Sequence, residues 1–418
     1  MAQQAISRAG APDATRGRVG ARLPLQVFAG SRLIVFLVAV ASAALLSDSP
    51  RRALFDVPRL TEPLGGFGRA LLSPLAHWDA VWYLGIADHG YTHAPGGGAG
   101  PDAAFFPLYP LVVRLVAVVP TPGALLVSAY VVSLACFAGA LVLLDRLVSL
   151  EFGRDTARLT LLLISLWPAA LYFGAPYTES LFLLLTVGAF YAARTGHAAW
   201  AGLLVALASG TRPVGALLAV PLALILWRHA RSRRDLAWLA LAPAGIAAYA
   251  AYLGSRFGNP LAFNSAQAFW FRGLTGPWTG VKDGTVAAVD GVRQLASGSR
   301  SHVYFTRAGG DPLIVAGQNV LLFGSLLAVL AMLVGALRRL PPAWSAWALL
   351  SIALPLSSPV GPQPLMSLPR YAAVVFPLFA WLALALRGRR ALTAATLAVF
   401  TAGLVVATGY YATWHWVA

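Results

Sequence analysis

The chain has 418 residues; 58% are hydrophobic and 11% charged, the mean hydropathy is +0.71 and the formal net charge is +16. Soluble domains are about half apolar and roughly a quarter charged, so this balance excludes a soluble fold and indicates an all-α polytopic membrane protein. The positive charge is almost all arginine, Lys282 being the only lysine. It sits mostly in short connectors between apolar runs, where it sets topology and meets anionic headgroups, so nucleic acid is not expected as a partner and membrane lipid is. Cys136 is alone inside an apolar run, which excludes an intrachain disulfide and makes it a packing residue.

In chain order, residues 1–24 are polar and rich in Arg and Ala, and read as a disordered cytoplasmic tail before one transmembrane domain over 25–418. The first span is expected at 25–46. Arg8, Arg16, Arg18 and Arg22 precede it and place the N-terminus inside. No small-residue cleavage site precedes Pro50, so the span is read as retained. A long external loop follows, about 47–122, carrying most of the polar side chains of interest and a Gly96-Gly97-Gly98 turn. Within it, 111–119 is apolar but too short to cross about 30 Å of hydrocarbon, and is expected to lie in the interface. Further spans are expected at 124–145, 159–174, 177–195, 198–211, 213–228, 236–254, 312–337, 343–358, 369–386 and 391–413. Eleven spans put the basic connectors at 146–158, 228–234, 338–339 and 387–390 inside. A second external loop, 255–311, is rich in Gly, Trp, Phe and Arg without strong periodicity, and no internal repeat is visible. Parity then gathers four polar stretches on the outer side: the first loop, Pro176-Tyr177-Thr178-Glu179-Ser180, Ser209-Gly210-Thr211-Arg212-Pro213 and Ser367-Leu368-Pro369-Arg370-Tyr371.

The densest of these is His77-Trp78-Asp79-Ala80-Val81-Trp82-Tyr83, continuing to Asp88-His89-Gly90-Tyr91. It reads as a helix from Asp79 to about Ala87, with Gly90 as its stop. Trp78, Trp82 and Ile86 then share one side, as an aromatic belt at headgroup level, while Asp79 and Tyr83 project from the next face. Asp79 is either the N-cap of this helix or a general base, being of the right type to take a hydroxyl proton. His77, Asp88, His89, His93 and Asp102 together could supply hard metal ligands, but without a metal-binding spacing. A divalent metal is therefore not indicated, and Asp88 could equally bind an acceptor sugar. Glu179 is either a solvated turn residue or part of a polar substrate cavity with Thr178 and Ser180. Arg212 and Arg370 either snorkel to the interface or bind a phosphate through the guanidinium fork. Arg272 and Arg307 are weaker phosphate candidates, and Trp414-His415-Trp416 reads as an interfacial anchor. Nucleotide-binding glycine loops, the serine nucleophile elbow, His-Glu-x-x-His and Cys-x-x-Cys are all absent from the sequence.

Five stretches together resemble the PIG-V family of mannosyltransferases, within the GT-C superfamily. They are His77-Trp78-Asp79-x-x-Trp82-Tyr83-x-x-Ile86-Ala87-x-x-Gly90-Tyr91, Phe105-Phe106-Pro107-Leu108-Tyr109-Pro110, Pro176-Tyr177-Thr178-Glu179-Ser180, Thr211-Arg212-Pro213-x-Gly215, and Pro369-Arg370-Tyr371 with Phe376-Pro377. The resemblance implies a GT-C-type helical bundle, a polyprenyl-phosphate-mannose donor, and a catalytic aspartate in the first external loop, at Asp79. The expected reaction is an inverting mannosyl transfer to a lipid-linked or cell-envelope acceptor at the outer face of the cell membrane. Candidate substrate-binding residues are His77, Trp82, Tyr83, Asp88, His89, Tyr109, Tyr177, Glu179, Arg212 and Arg370. The alternatives are a lipid-linked sugar transporter or flippase, whose usual repeats are not seen here, and the same reaction with another sugar.

Overall fold

A computed structural model describes residues 21–118, 121, 123–229, 232–301, 311–361 and 363–417. The 1–20 part of the expected tail, Arg231 and Arg307 lie outside the described residues. Among the described residues the protein is helical, with two isolated bridges, His93 with Ala99 and Arg272 with Val360, and no named strand.

Every segment expected to span contains helix. The first is α1 (Arg22–Leu45). In the first loop, α2 (Asp79–His89) stops at Gly90, whose φ of 79° suits a residue without Cβ. Next, α3 (Leu108–Val116) is nine residues, far too short to cross. Then come α4 (Ala124–Phe152), α5 (Arg154–Leu166), α6 (Glu179–Arg194) and α7 (Ala198–Ser209). They are followed by α8 (Ala219–His229) and α9 (Ala244–Phe257). Among the described residues, five segments are long and apolar enough to cross by themselves: α1, α4, 233–257 (which includes α9), Pro312–Arg339 and Arg390–Ala412. The others are shorter or broken.

The second loop differs from expectation. It contains a 21-residue helix, α10 (Pro277–Ser297), packed against α11 (Pro312–Arg339). Its buried face is Gly280, Gly284, Ala287, Ala288 and Gly291. A Cβ on Gly291 would stand 2.7 Å from the Ala316 carbonyl oxygen. The periodicity was there, but it was written in small residues, which carry little hydropathy signal. The chain ends with α12 (Pro342–Leu356), α13 (Leu368–Ala373), α14 (Phe376–Leu386) and α15 (Arg390–Ala412).

The core is centred on α6. Of its 16 residues only Leu184, Tyr191 and Arg194 are not buried, as expected for a helix apolar on all sides. It packs on α4, α7 and α8.

Three helical runs break where polar side chains must face inward. After α5 the chain passes through Trp167 into a 3-10 stretch, Pro168–Phe173, before α6 begins. Arg32 of α1 reaches that break, donating to the Ala170 carbonyl (2.8 Å) and the Ser165 carbonyl (3.4 Å). Carbonyls released from a helix inside a membrane need such a donor. The second break follows α7. Arg212 is extended and Pro213 opens a 3-10 stretch to Leu218, since proline cannot continue the helical bonding. At Gly215 a Cβ would sit 2.3 Å from the Ala208 carbonyl carbon, so the chain folds back on α7 only with glycine there. The third break precedes α13, where Ser367 has φ of 69° and the Trp167 indole N–H donates to the Pro369 carbonyl (2.8 Å).

Gly215→Ala is expected to destabilise the protein by about 1–3 kcal/mol through overpacking. Gly324→Ala, in the interior of α11 with nothing within 4 Å of the added methyl, is expected to stabilise it by roughly 0.5–1 kcal/mol. Thermal unfolding in detergent measures both; a Gly215→Ala melting temperature at or above wild type contradicts the close approach.

Candidate active site

Helix α2 and the breaks after α7 and before α13 meet at one cavity of about 1150 Å³. Asp79 and Tyr83 of α2, Arg212 after α7, and Arg370 and Tyr371 of α13 line one part of it. Trp82, Phe105 and Trp270 line another. Trp82 stacks on Phe105 with centroids 5.8 Å apart, and Trp270 meets both edge-on.

Asp79 is set by a strained turn. Trp78, just before it, has φ of 56° and ψ of −118°, a conformation that a residue with a Cβ adopts only when its surroundings impose it. The His77 carbonyl accepts from the Tyr177 hydroxyl (3.0 Å) and the Tyr411 hydroxyl (2.7 Å). The Asp79 backbone N–H donates to the Tyr177 hydroxyl oxygen (3.0 Å). The Trp78 ring is wedged among Phe55, Trp414 and Trp416. Helix α2 therefore starts at a fixed place without a capping side chain. Asp79 makes no capping bond, and its Oδ2 instead accepts from Arg370 Nη1 at 2.6 Å.

From Asp79 a chain of alternating charge runs inward. Arg370 Nε stands 2.7 Å from Glu179 Oε1. The same oxygen accepts from Arg212 Nη2 at 2.5 Å. Arg212 also donates twice to Thr178 Oγ1, at 3.0 and 2.8 Å. Glu179 is fully buried, while Asp79 keeps 17% of its side chain exposed to the cavity. The phenol ring of Tyr371 lies among three guanidiniums, with Arg212, Arg272 and Arg370 carbons 5.9, 5.7 and 5.7 Å from its centroid. Arg272 donates to the Ser358 carbonyl (3.0 Å) and has no carboxylate partner among the described residues.

The sequence candidates thus separate. Asp79, Trp82, Tyr83, His89, Arg212 and Arg370 line the cavity. His77, Asp88, Tyr109, Tyr177 and Glu179 are not on its wall, contrary to the expectation that they touch substrate. His77 lies behind the strained turn, its Nδ1 2.9 Å from the Tyr411 carbonyl oxygen and its ring stacked 4.0 Å from Trp414. Asp88 pairs with Arg59 (2.7 Å). Tyr109 is fully buried, its hydroxyl bonded to Ser133 and the Ala129 carbonyl. Tyr177 and Glu179 support the wall from behind. Glu179 is not a solvated turn residue, because two guanidiniums claim it. The five hard-ligand candidates do not converge, and among the described residues no group of three His, Cys, Asp or Glu could hold a metal. Trp78 and Ile86 are buried rather than forming a belt. Trp414 is also buried, so it closes the rear of the site instead of anchoring at an interface. Arg272, a weaker phosphate candidate, and Trp270, which no sequence reading singles out, also line the cavity. Their only sequence signal is the Trp270-Phe271-Arg272-Gly273 cluster in the second loop.

Fold and cavity define the class: an all-α, multi-span membrane protein with a carboxylate and several arginines on one cavity wall. The profile of the mannosyltransferase (PIG-V) family matches residues 24–270, and the chain belongs to that family. It is 34% identical over 204 residues to GPI alpha-1,6-mannosyltransferase 2 of Rattus norvegicus, covering 45% of this chain and 39% of that one. For the Homo sapiens protein of the same name the identity is 31% over 196 residues, covering 44% and 38%. The match therefore spans about two fifths of the length of these relatives. A solved structure of the archaeal oligosaccharyltransferase AglB from Archaeoglobus fulgidus, in complex with an inhibitory peptide and a dolichol-phosphate, superposes with a TM-score of 0.44. Its identity is 14%, with 94% of this chain and 56% of that one covered. At that level the likeness adds nothing to the reading of the site.

Burial pushes the His77 imidazole down from 6.5 to about 4, partly opposed by its bond to the Tyr411 carbonyl. The unfolded chain takes up that proton near pH 6.5 and the folded chain only near pH 4. The contribution is thus fully present above pH 6.5, falls as the pH drops, and is gone below about 4. It amounts to about 3 kcal/mol. His77→Gln is expected to melt lower at pH 7.5 but to lose less stability between pH 6.5 and 4 than wild type; parallel melting curves would contradict this.

Proposed function

We propose that this protein transfers mannose from a polyprenyl-phosphate-mannose donor to a hydroxyl of a lipid-linked or cell-envelope acceptor, at the outer face of the cell membrane. The observation that carries the reading is the placement of the Asp79 carboxylate with Arg212, Arg272 and Arg370 on the wall of one cavity. The names of the relatives support mannose as the sugar.

In this reading the acceptor oxygen attacks C1 of the mannosyl group. The C1–O bond to the lipid phosphate breaks with its electron pair going to the phosphate, and the acceptor proton passes to Asp79. Attack opposite the leaving group inverts the anomeric centre. Charge developing on the phosphate meets guanidiniums already in place. Arg272 is best suited to it, because Arg212 and Arg370 share Glu179 whereas Arg272 has no carboxylate to balance it among the described residues. The flat faces of Trp82, Phe105 and Trp270 offer stacking surfaces for a sugar ring. No step in this scheme uses a metal.

Asp79→Asn should abolish transfer in proteoliposomes supplied with labelled polyprenyl-phosphate-mannose and a membrane-extract acceptor, while expression and folding are retained at a melting temperature below wild type, because Arg370 loses one of its two carboxylates and keeps the other. Full activity in that variant refutes the base. Arg272→Gln should raise the donor KM by about 10- to 100-fold, the worth of a charge-assisted hydrogen bond, with the acceptor KM unchanged; equal effects on both refute a phosphate role. Movement of intact donor across the bilayer without transfer would replace the reaction by flipping.

A further inference from the structure

Glu179 is the least expected member of the charge chain. It is fully buried and off the cavity wall, yet it contacts two arginines that are on the wall. Both contacts fall on one oxygen, Oε1, while Oε2 is buried with no hydrogen-bond partner. A carboxylate has about four acceptor sites on its two oxygens, so this one has capacity to spare on the side it does not use. Arg370 Nε lies 2.7 Å from Oε1 but makes no well-aligned hydrogen bond there. Arg370 therefore divides its charge between Glu179 and Asp79, and Arg212 limits how much of Glu179 it receives.

We propose that Glu179 is a positioning residue that couples occupation of the arginine end of the cavity to the proton affinity of Asp79. This inference rests on the reaction proposed above. An anionic group bound between Arg212 and Arg272 draws Arg212 away from Glu179. Glu179 then turns both oxygens to Arg370, whose forked guanidinium suits a paired contact. Arg370 slackens its 2.6 Å bond to Asp79 Oδ2, and the Asp79 carboxylate becomes a better base when the donor phosphate is in place. The other titratable or charged groups around Asp79 are Tyr83 on its own helix, Tyr371 of α13, Tyr172 and Tyr177 from the stretch before α6, and Tyr411 of α15. All five are phenols, so the two arginines and Glu179 are the groups near it whose charges can be redistributed.

The test is the pH dependence of the full chain in proteoliposomes with polyprenyl-phosphate-mannose. The acid limb of kcat/KM for the donor reports the free enzyme, and that of kcat the donor-bound enzyme. In wild type the kcat limb is expected at higher pH than the kcat/KM limb, by half a pH unit or more. In Glu179→Gln the gap is expected to close, with kcat down at least tenfold, and Glu179→Asp should restore part of it. Melting temperatures at each pH separate this from unfolding, and the wild-type gap tests the idea even if Glu179→Gln fails to fold. Coincident limbs in wild type overturn the coupling, as does a gap of unchanged size in a folded Glu179→Gln. A wild type that transfers no mannose at any pH refutes the proposed reaction itself, and the coupling with it.

Discussion

The site depends on a balanced row of buried charge. Asp79, Arg370, Glu179 and Arg212 alternate in sign and touch in sequence. Burying a charge is tolerable only when it is paired, and removing one partner typically costs more than the pair contributes. Each of the four is therefore held by its neighbours more than by its own stretch of backbone. The three breaks in the helical runs follow from this requirement. A regular helix would direct its polar ends outward, whereas the stretches before α6, after α7 and before α13 turn them in. Interrupted helices are tolerated at membrane depth where they line a cavity or are buried in protein. Arg32 and the Trp167 indole supply donors for carbonyls that these interruptions expose.

The aromatic residues share a second task. Tyr177 and Tyr411 converge on one carbonyl, that of His77, and so hold the φ of Trp78 where it is. The strain at this turn is offset by hydroxyls from two segments far apart in sequence, the stretch before α6 and helix α15. Fixing the start of α2 this way leaves the Asp79 carboxylate free of capping and directed at the cavity.

Much of the fold was legible in hydropathy, and α2 with its Gly90 stop was legible from residue type. Counting spans gathers the stretches bearing Asp79, Glu179, Arg212 and Arg370 on one side of the membrane, but that these four side chains touch is visible only in their contacts. Their division of labour was not legible. Glu179 and Tyr177 look like cavity residues in a string of polar letters, and only contacts reveal that they stand behind the wall. Tyr109 misled for a related reason: its hydroxyl finds Ser133 inside the core, a pairing 24 residues apart. Helix α10 escaped because its packing face is glycine and alanine. The profile match ends at residue 270, so Arg272, Arg370, Tyr411 and Trp414, all needed to complete the cavity or its support, lie beyond it.

The contact between His77 and the last helix bears on how the molecule comes to be made. The bond from the Tyr411 hydroxyl joins residues 334 apart, and Trp414 seals the rear of the turn. During synthesis the segment bearing Asp79 emerges early, with neither in place. Until α15 has entered the bilayer, the Trp78 turn lacks one of the two hydroxyls that hold it and the aromatic cover behind it. A chain in the translocon without α15 would thus hold a slack, unformed cavity, and the turn that presents Asp79 would be completed only when α15 is in place.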